Sequence, residues 1–393
     1  MCEDFNCGSF PQIRILPELP RNARVSAGQN SDLRPIQLEI DTDKLKQNPI
    51  IYLKELGEKF LLKNKSFPNI YYYTNGVPSD AIDIGGVRRD FISSLFENLF
   101  IKRKLPIDPG PPLYPKFSAN NDFANSPTFE DEKLCYQTIG AIFALCYQEI
   151  SSLKIGEFFD ETFFSLMQLQ MKFLLEKDSS KKEKYTLESI LTLKISDPSI
   201  REQIYNKAID PEFKLSLPTA REYYTAFTEE NTSLRESLLK ELDADSRLKA
   251  ILTMAYAMKD HLTFKLQQKF ITEDPLDLQK MIQGELGSEL LLKSIEWRKE
   301  LNLDKKDYDR TKEFLTQWIK EATHEDLKRF VRAVTGNNTL GANEIEILAI
   351  NTNRLPEAHT CFFQLDLSGN YPNYGTFKGK LTCLLDQDGF QIH

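Results

Sequence analysis

Between residues 355 and 367 the chain reads LPEAHTCFFQLDL, which gathers a cysteine, a histidine and an acid in one short apolar run. Leu355 precedes Pro356, and a residue before proline avoids the helical region, so the approach to the cysteine is extended. Beyond it the residues alternate. Cys361, Phe363, Leu365 and Leu367 would share one face of an extended chain, with Phe362, Gln364 and Asp366 on the other. Cys361 is therefore expected where a loop enters a strand, a position that is reachable yet firmly held. His359 would project to the same side and either polarise the thiol or pack. Thiols need only a modest drop in pKa to act as nucleophiles at neutral pH. A papain-like arrangement would place its histidine far downstream, and the only histidine after Cys361 is the last residue, His393. On these residues alone, a buried structural cysteine and a nucleophile both remain open.

Other chemistries find less support. Gly85-Gly86 is followed by no GK[ST] and lacks GxGxxG spacing, so a tight turn entering a helix accounts for both glycines. No pair of carboxylates stands in a setting that would drive their pKa values apart. Six cysteines scattered over 393 residues suit a reducing compartment, and none has zinc-ligand spacing, so no metal or other cofactor is expected. The net charge of −8 argues against a nucleic-acid binder, and no apolar run reaches the roughly 18 residues of a membrane span. MCEDFNCGSFPQ lacks the basic and apolar regions of a cleavable secretion signal.

The elements that must position Cys361 are mostly helices. Residues 1–35 read as a leader or linker rich in Pro, Asn, Ser and Arg. Strands are expected at 36–41 and 69–74, with a helix in NPIIYLKELGEKFL between them. A turn at 82–86 leads into a helix whose Ile92, Leu95, Phe96, Leu99 and Phe100 form one apolar face. The Pro-rich 105–117 is loop. LCYQTIGAIFALCYQEI is apolar almost all round and reads as a buried helix, with Cys135 and Cys146 as packing. The aromatic helix 157–177 either joins the core or offers a partner groove. Residues 178–245 are charged and mostly helical, broken at Pro198, Pro211 and Pro218, and 247–270 reads as one long amphipathic helix. After a charged connector at 299–310 comes a closing unit: a helix over 311–334, the turn TGNN, a strand EIEILAI, the cysteine stretch, and a last helix from Tyr374.

LPEAHTCFFQLDL resembles the active-cysteine signature of HECT-type ubiquitin ligases, Leu-Pro-x-Ala-x-Thr-Cys followed by Leu-x-Leu. Leu355, Pro356, Ala358, Thr360, Cys361, Leu365 and Leu367 meet every position. RFVRAVTGNN looks like the family's Phe-Val-Thr-Gly segment with two extra residues. IDIGGVRRDF is similar to its Asp-x-Gly-Gly-x-x-Arg-Glu stretch, with Asp90 in place of Glu, and TIGAIFALCYQ resembles the helix that follows. Phe390 stands fourth from the end of the sequence, where these ligases carry a phenylalanine used to pass ubiquitin on. The resemblance extends over about residues 36–393. SGNYPNY replaces the usual Pro-Pro-Tyr, and 157–245 departs from the subdomain that docks the conjugating enzyme.

The resemblance implies an α+β, bilobal fold: a mostly helical N-terminal lobe over 36–300, a hinge at 301–308, and a small α/β C-terminal lobe over 309–393 carrying the cysteine. It implies a ubiquitin ligase that takes ubiquitin from a ubiquitin-conjugating enzyme as a thioester on Cys361 and transfers it to substrate lysines. His359 and Thr360 would shape the cysteine loop. Asp366 would either assist the lysine or stand as a solvated strand-edge acid. The expected partners are a conjugating enzyme docked on 157–245, ubiquitin and protein substrates, with the chain itself monomeric. Its expected setting is the cytoplasm, or a host cytosol if the source is microbial. Two alternatives are a catalytically altered interaction scaffold and a cysteine hydrolase acting on ubiquitin chains.

Overall fold

The computed structural model describes residues 37–65, 67–74, 77–78, 85–100, 129–148, 153–228, 233–244, 246–341 and 343–386. The leader at 1–35, the Pro-rich loop at 105–117, Asp83 and Phe390 lie outside the described residues, as does the side chain of Phe100.

Strand β1 (Gln37–Asp41) buries Leu38 and Ile40 and turns Gln37 and Glu39 outward, the two-residue period of a half-buried strand. It pairs in parallel with β2 (Asn69–Thr74), whose other edge pairs antiparallel with β3 (Val77–Pro78). The parallel crossover is made by α1 (Thr42–Gln47), capped by the Asp41 carboxylate, and by α2 (Pro49–Leu56). It continues through a π-helical segment, Gly57–Leu61, into α3 (Leu62–Asn64).

Behind this small sheet lie α4 (Gly86–Phe100) and α5 (Phe129–Gln148). Ile92, Leu95, Phe96 and Leu99 of α4 are buried as their spacing requires. Cys135 and Cys146 of α5 are buried as well. Aromatic rings join the next helix, α6 (Glu161–Leu175), to this core: Phe143 meets Phe159 edge-on at 5.6 Å, and Phe159 stacks on Phe163 at 4.3 Å. The aromatic run of 157–177 is thus largely core.

A helical array follows: α7 (Ser179–Lys194), α8 (Pro198–Ile209), α9 (Pro218–Phe227) and α10 (Leu234–Ala244). Pro198 and Pro218 open helices, the one place where a missing N–H costs nothing. The expected long helix over 247–270 is instead α11 (Ser246–His261) and α12 (Phe264–Phe270). His261 closes the first by bonding Ala257 O and Leu61 O, and Thr263 caps the second. Helix α13 (Pro275–Gln283) completes the first hydrophobic cluster, which runs from Leu38 to Ile282.

The second cluster runs from Leu291 to Leu385 around a sheet ordered β4-β5-β7-β6. Here α14 (Ser288–Ser294) leads directly into β4 (Ile295–Lys299), which pairs in parallel with β5 (Ile345–Ile350). This differs from the sequence-based boundary, which left 295–300 with the first lobe and put a hinge at 301–308. The chain leaves the first core after Ile282, and α15 (Lys305–Glu321) already begins within the expected hinge, capped by Asp304. A charged stretch looks like a connector when its cap is not recognised.

The expected single helix over 311–334 is likewise two, α15 and α16 (His324–Thr335), because Thr323 and Asp326 form a reciprocal capping box. Strands β6 (Glu357–His359) and β7 (Gln364–Ser368) follow, then α17 (Tyr374–Leu385). Phe314, Tyr371 and Phe377 fill the space between helices and sheet. The fold is α+β and bilobal, with helices dominating the first lobe.

Helix α5 packs directly on α11 in the first lobe. A Cβ added at Gly140 would fall 2.1 Å from Met254 O, a backbone atom with no freedom to retreat. Gly140→Ala should therefore lower stability by about 3 kcal/mol despite its better helix propensity. A chemical-denaturation midpoint at or above the unaltered chain's would disprove that contact.

Candidate functional site

Cys361 lies not at the start of a long strand but in the four-residue loop, Thr360 to Phe363, between the ladder partners His359 and Gln364. The turn closes through a bond from Phe362 N to His359 O at 2.9 Å. On its far side Glu346 N, on β5, donates to Phe363 O at 2.9 Å. Leu365 and Leu367 are buried on one face of β7, as alternation requires. Phe363 does not join them, because its φ is +56°. A left-handed residue that is neither Gly nor Asn costs about 1–2 kcal/mol.

Arg89, on α4 of the first lobe, reaches this loop. Its Nη2 donates to Thr360 O and its Nε to Thr335 O, each at 2.7 Å. The same guanidinium lies 4.3 Å from the centroid of the Phe363 ring. Such a stack contributes roughly 0.5–2 kcal/mol, enough to offset much of the left-handed turn.

Glycines let the backbones approach. A Cβ at Gly86 would come within 2.6 Å of Thr360 Oγ1 and 3.2 Å of Cys361 Sγ. Gly336, with φ +78°, caps α16 and faces Gly86 so closely that a Cβ there would sit 2.7 Å from Gly86 O. Gly85-Gly86 does enter a helix, and the first turn of that helix is where the cysteine loop rests. Cys361 remains half-exposed, Phe362 projects outward at 70% exposure, and Leu355 is exposed too.

A charged network beside the loop joins the lobes. Arg332 on α16 contacts Asp90 at 2.9 Å and Glu97 at 2.9 Å, and also donates to Ser94 Oγ. Lys328 adds a second cation to Glu97 at 3.4 Å. Tyr72 donates its hydroxyl to Asp90 at 2.9 Å. Burial opposes the charge on Arg332, but Asp90 and Glu97 outweigh it and raise its pKa. Burial, with Asp90 adding to it, pushes the Tyr72 phenol well above its ordinary value and keeps it a donor. Further along, the TGNN turn enters the first lobe, where Asn337 Oδ1 accepts from Lys154 N at 3.3 Å.

Of the residues singled out by sequence, His359 Nε2 bonds Asp366 Oδ2 across the hairpin at 3.3 Å, and Gln364 Nε2 holds the other Asp366 oxygen at 2.7 Å. Thr360 bridges Cys361 and Arg89. SGNYPNY begins at the end of β7 remote from the cysteine, about 16 Å along a five-residue strand. There Gly369 N donates to Ile350 O at 2.7 Å, Tyr371 is buried, and a Cβ at Gly369 would sit 2.2 Å from a Leu303 methyl, so Leu303 would have to shift to admit one. Residue-by-residue reading missed Arg89, Phe363 and Arg332, whose partners lie hundreds of positions away. Among the described residues no His, Cys, Asp and Glu group could hold a metal ion.

A half-exposed cysteine thus stands on the hairpin tip of a small α/β lobe, held against a helical one. The family model HECT-domain (ubiquitin-transferase) matches residues 104–393, well over half of the chain, so the protein belongs to the HECT family. The Gly85-Gly86 turn and Arg89 stand upstream of that match. A search of curated proteins found no match to this chain. No described helix is long and apolar enough to cross a membrane.

The Asp90–Arg332–Glu97 network should hold the lobes together. Arg332→Ala leaves Asp90 without its cation and should cost about 2–4 kcal/mol, part of Arg332 being solvent-screened already. Arg298→Ala, which removes exposed pairs to Glu296 and Glu346, should cost under about 0.5 kcal/mol. Denaturation midpoints decide, and equal effects would remove the special standing of Arg332.

Proposed function

We propose that this chain is a ubiquitin ligase that carries ubiquitin on Cys361. The Cys361 thiolate attacks the thioester between ubiquitin and a ubiquitin-conjugating enzyme. A new S–C bond forms, the old one breaks, and the conjugating enzyme leaves as its thiolate. A substrate lysine then attacks the new thioester, the C–N bond forms, and Cys361 is released. Thioester exchange is nearly isoenergetic, so positioning dominates. The observation that carries this reading is the LPEAHTC hairpin tip, held half-exposed by contacts from the other lobe.

Asp366 takes the proton of the attacking amine, oriented by its bonds to His359 and Gln364, and Phe390 helps deliver ubiquitin to the acceptor. The helices of 157–245 dock the conjugating enzyme on the first lobe. The joint between lobes lies at Gly284–Gly287, between the last residue of the first cluster and α14. The protein works as a monomer in a reducing, cytosolic setting.

Incubation with charged conjugating enzymes, read on gels without reductant, tests the central claim. A reductant-labile ubiquitin adduct should form on the unaltered chain and vanish in Cys361→Ala. Cys361→Ser should give a reductant-resistant, alkali-labile ester. Absence of any adduct across a broad enzyme panel would leave the scaffold reading. Cleavage of ubiquitin chains without a conjugating enzyme would favour hydrolysis. Asp366→Asn should slow discharge onto free lysine by about 10² while loading proceeds, and unchanged discharge would end its role as base.

A further inference from the structure

We propose that Arg89 is a positioning residue for the second half-reaction, in which an amine takes ubiquitin from Cys361. It acts by clasping the cysteine loop from the opposite lobe. The inference rests on the ligase reading above but stands on its own geometry.

The clasp grips both sides of Cys361. Arg89 Nη2 holds the carbonyl of Thr360, the residue before it, at 2.7 Å, while the guanidinium plane covers Phe363, two residues after, at 4.3 Å. A third contact, to Thr335 O at 2.7 Å, ties the same side chain to the end of α16. Arg89 is itself buried, at 5% exposure, so it is anchored rather than sampling solvent. Only a planar fork can donate in two directions and stack at once; lysine cannot.

Phe363 supplies the independent observation. At φ +56° the hairpin loop would best be served by glycine or asparagine. A phenylalanine there works against the turn within its own lobe. Its gain lies across the lobe boundary, in the ring face offered to Arg89. The residue is thus explained by docking, not by the fold of the hairpin.

Docking fits the step after loading. In the docked state the cysteine loop is set against Gly86, where a Cβ would come within 2.6 Å of Thr360 Oγ1 and 3.2 Å of Cys361 Sγ, so the first turn of α4 backs the sulfur closely. That suits an amine approaching from the open side. Loading asks the sulfur to reach a thioester on another protein, and a loop released from Arg89 reaches further.

The test uses the full chain in single turnover, with loading by a charged conjugating enzyme and discharge onto free lysine measured separately. Arg89→Ala and Arg89→Lys should each slow discharge by about tenfold or more and change loading by less than about threefold. Phe363→Asn should match that loss while leaving the melting temperature unchanged or raised, since it suits the turn better. The double variant Arg89→Ala/Phe363→Asn should lose no more than either single one. Separately, N-ethylmaleimide modification mapped to Cys361 by mass spectrometry should accelerate in Arg89→Ala. Equal slowing of both steps, a melting loss in Phe363→Asn, or additive losses would make both residues mere structural supports and overturn the proposal. If the unaltered chain forms no adduct, the ligase reading fails, and unchanged alkylation in Arg89→Ala would by itself overturn the clasp.

Discussion

Asp90 is the group on which the two-lobed arrangement turns. It is buried, so its charge must be matched within hydrogen-bond reach, and it is matched from two directions. Tyr72 reaches it from the first sheet and Arg332 from α16, both at 2.9 Å. One carboxylate thereby links the strand layer, the helix α4 that carries it, and the second lobe. A buried pair of this kind is weak evidence for added stability, but it is strongly specific, because a wrong register would strand a charge away from water. It fixes how α16 lies on α4.

Everything at the cysteine follows from that crossing. With α16 held over α4, the left-handed Gly336 meets Gly86, and only glycines permit the approach. The same approach brings the first turn of α4 under the loop from Thr360 to Phe363. Arg89, one residue before Asp90, then points at the loop while Asp90 points at α16. Adjacent residues on one helix hold the two contacts, so neither can be adjusted without moving the other.

Much of this was legible from residue patterns and much was not. Periodicity located α4, α5 and α6 and their buried faces, and the cysteine signature marked the hairpin, because these are local regularities. The expected strand through CFFQLDL began three residues too early, since alternation cannot reveal that Phe363 is left-handed. Long helices over 247–270 and 311–334 were divided by His261, Thr263 and the Thr323–Asp326 box, whose polar contacts compete with an apolar stripe that continues past them. The partnership of Arg89 with Thr360 spans 271 positions, and no window of sequence contains it. The resemblance to a known signature pointed to the arginine without saying what it touches.

The place of β4 bears on how the second lobe comes into being. It is the outer strand of a parallel pair with β5, and the residues it matches follow it by about fifty positions, Ile295 with Ile345 and Trp297 with Ile347. Parallel pairing across so long a loop forms late and slowly. During synthesis β4, half apolar, has no sheet partner until β5 emerges, and the cysteine hairpin completes the sheet after that. A piece of this chain cut after Lys299 would lack that strand and leave EIEILAI as an open, β-prone edge, the kind of surface that recruits copies of itself.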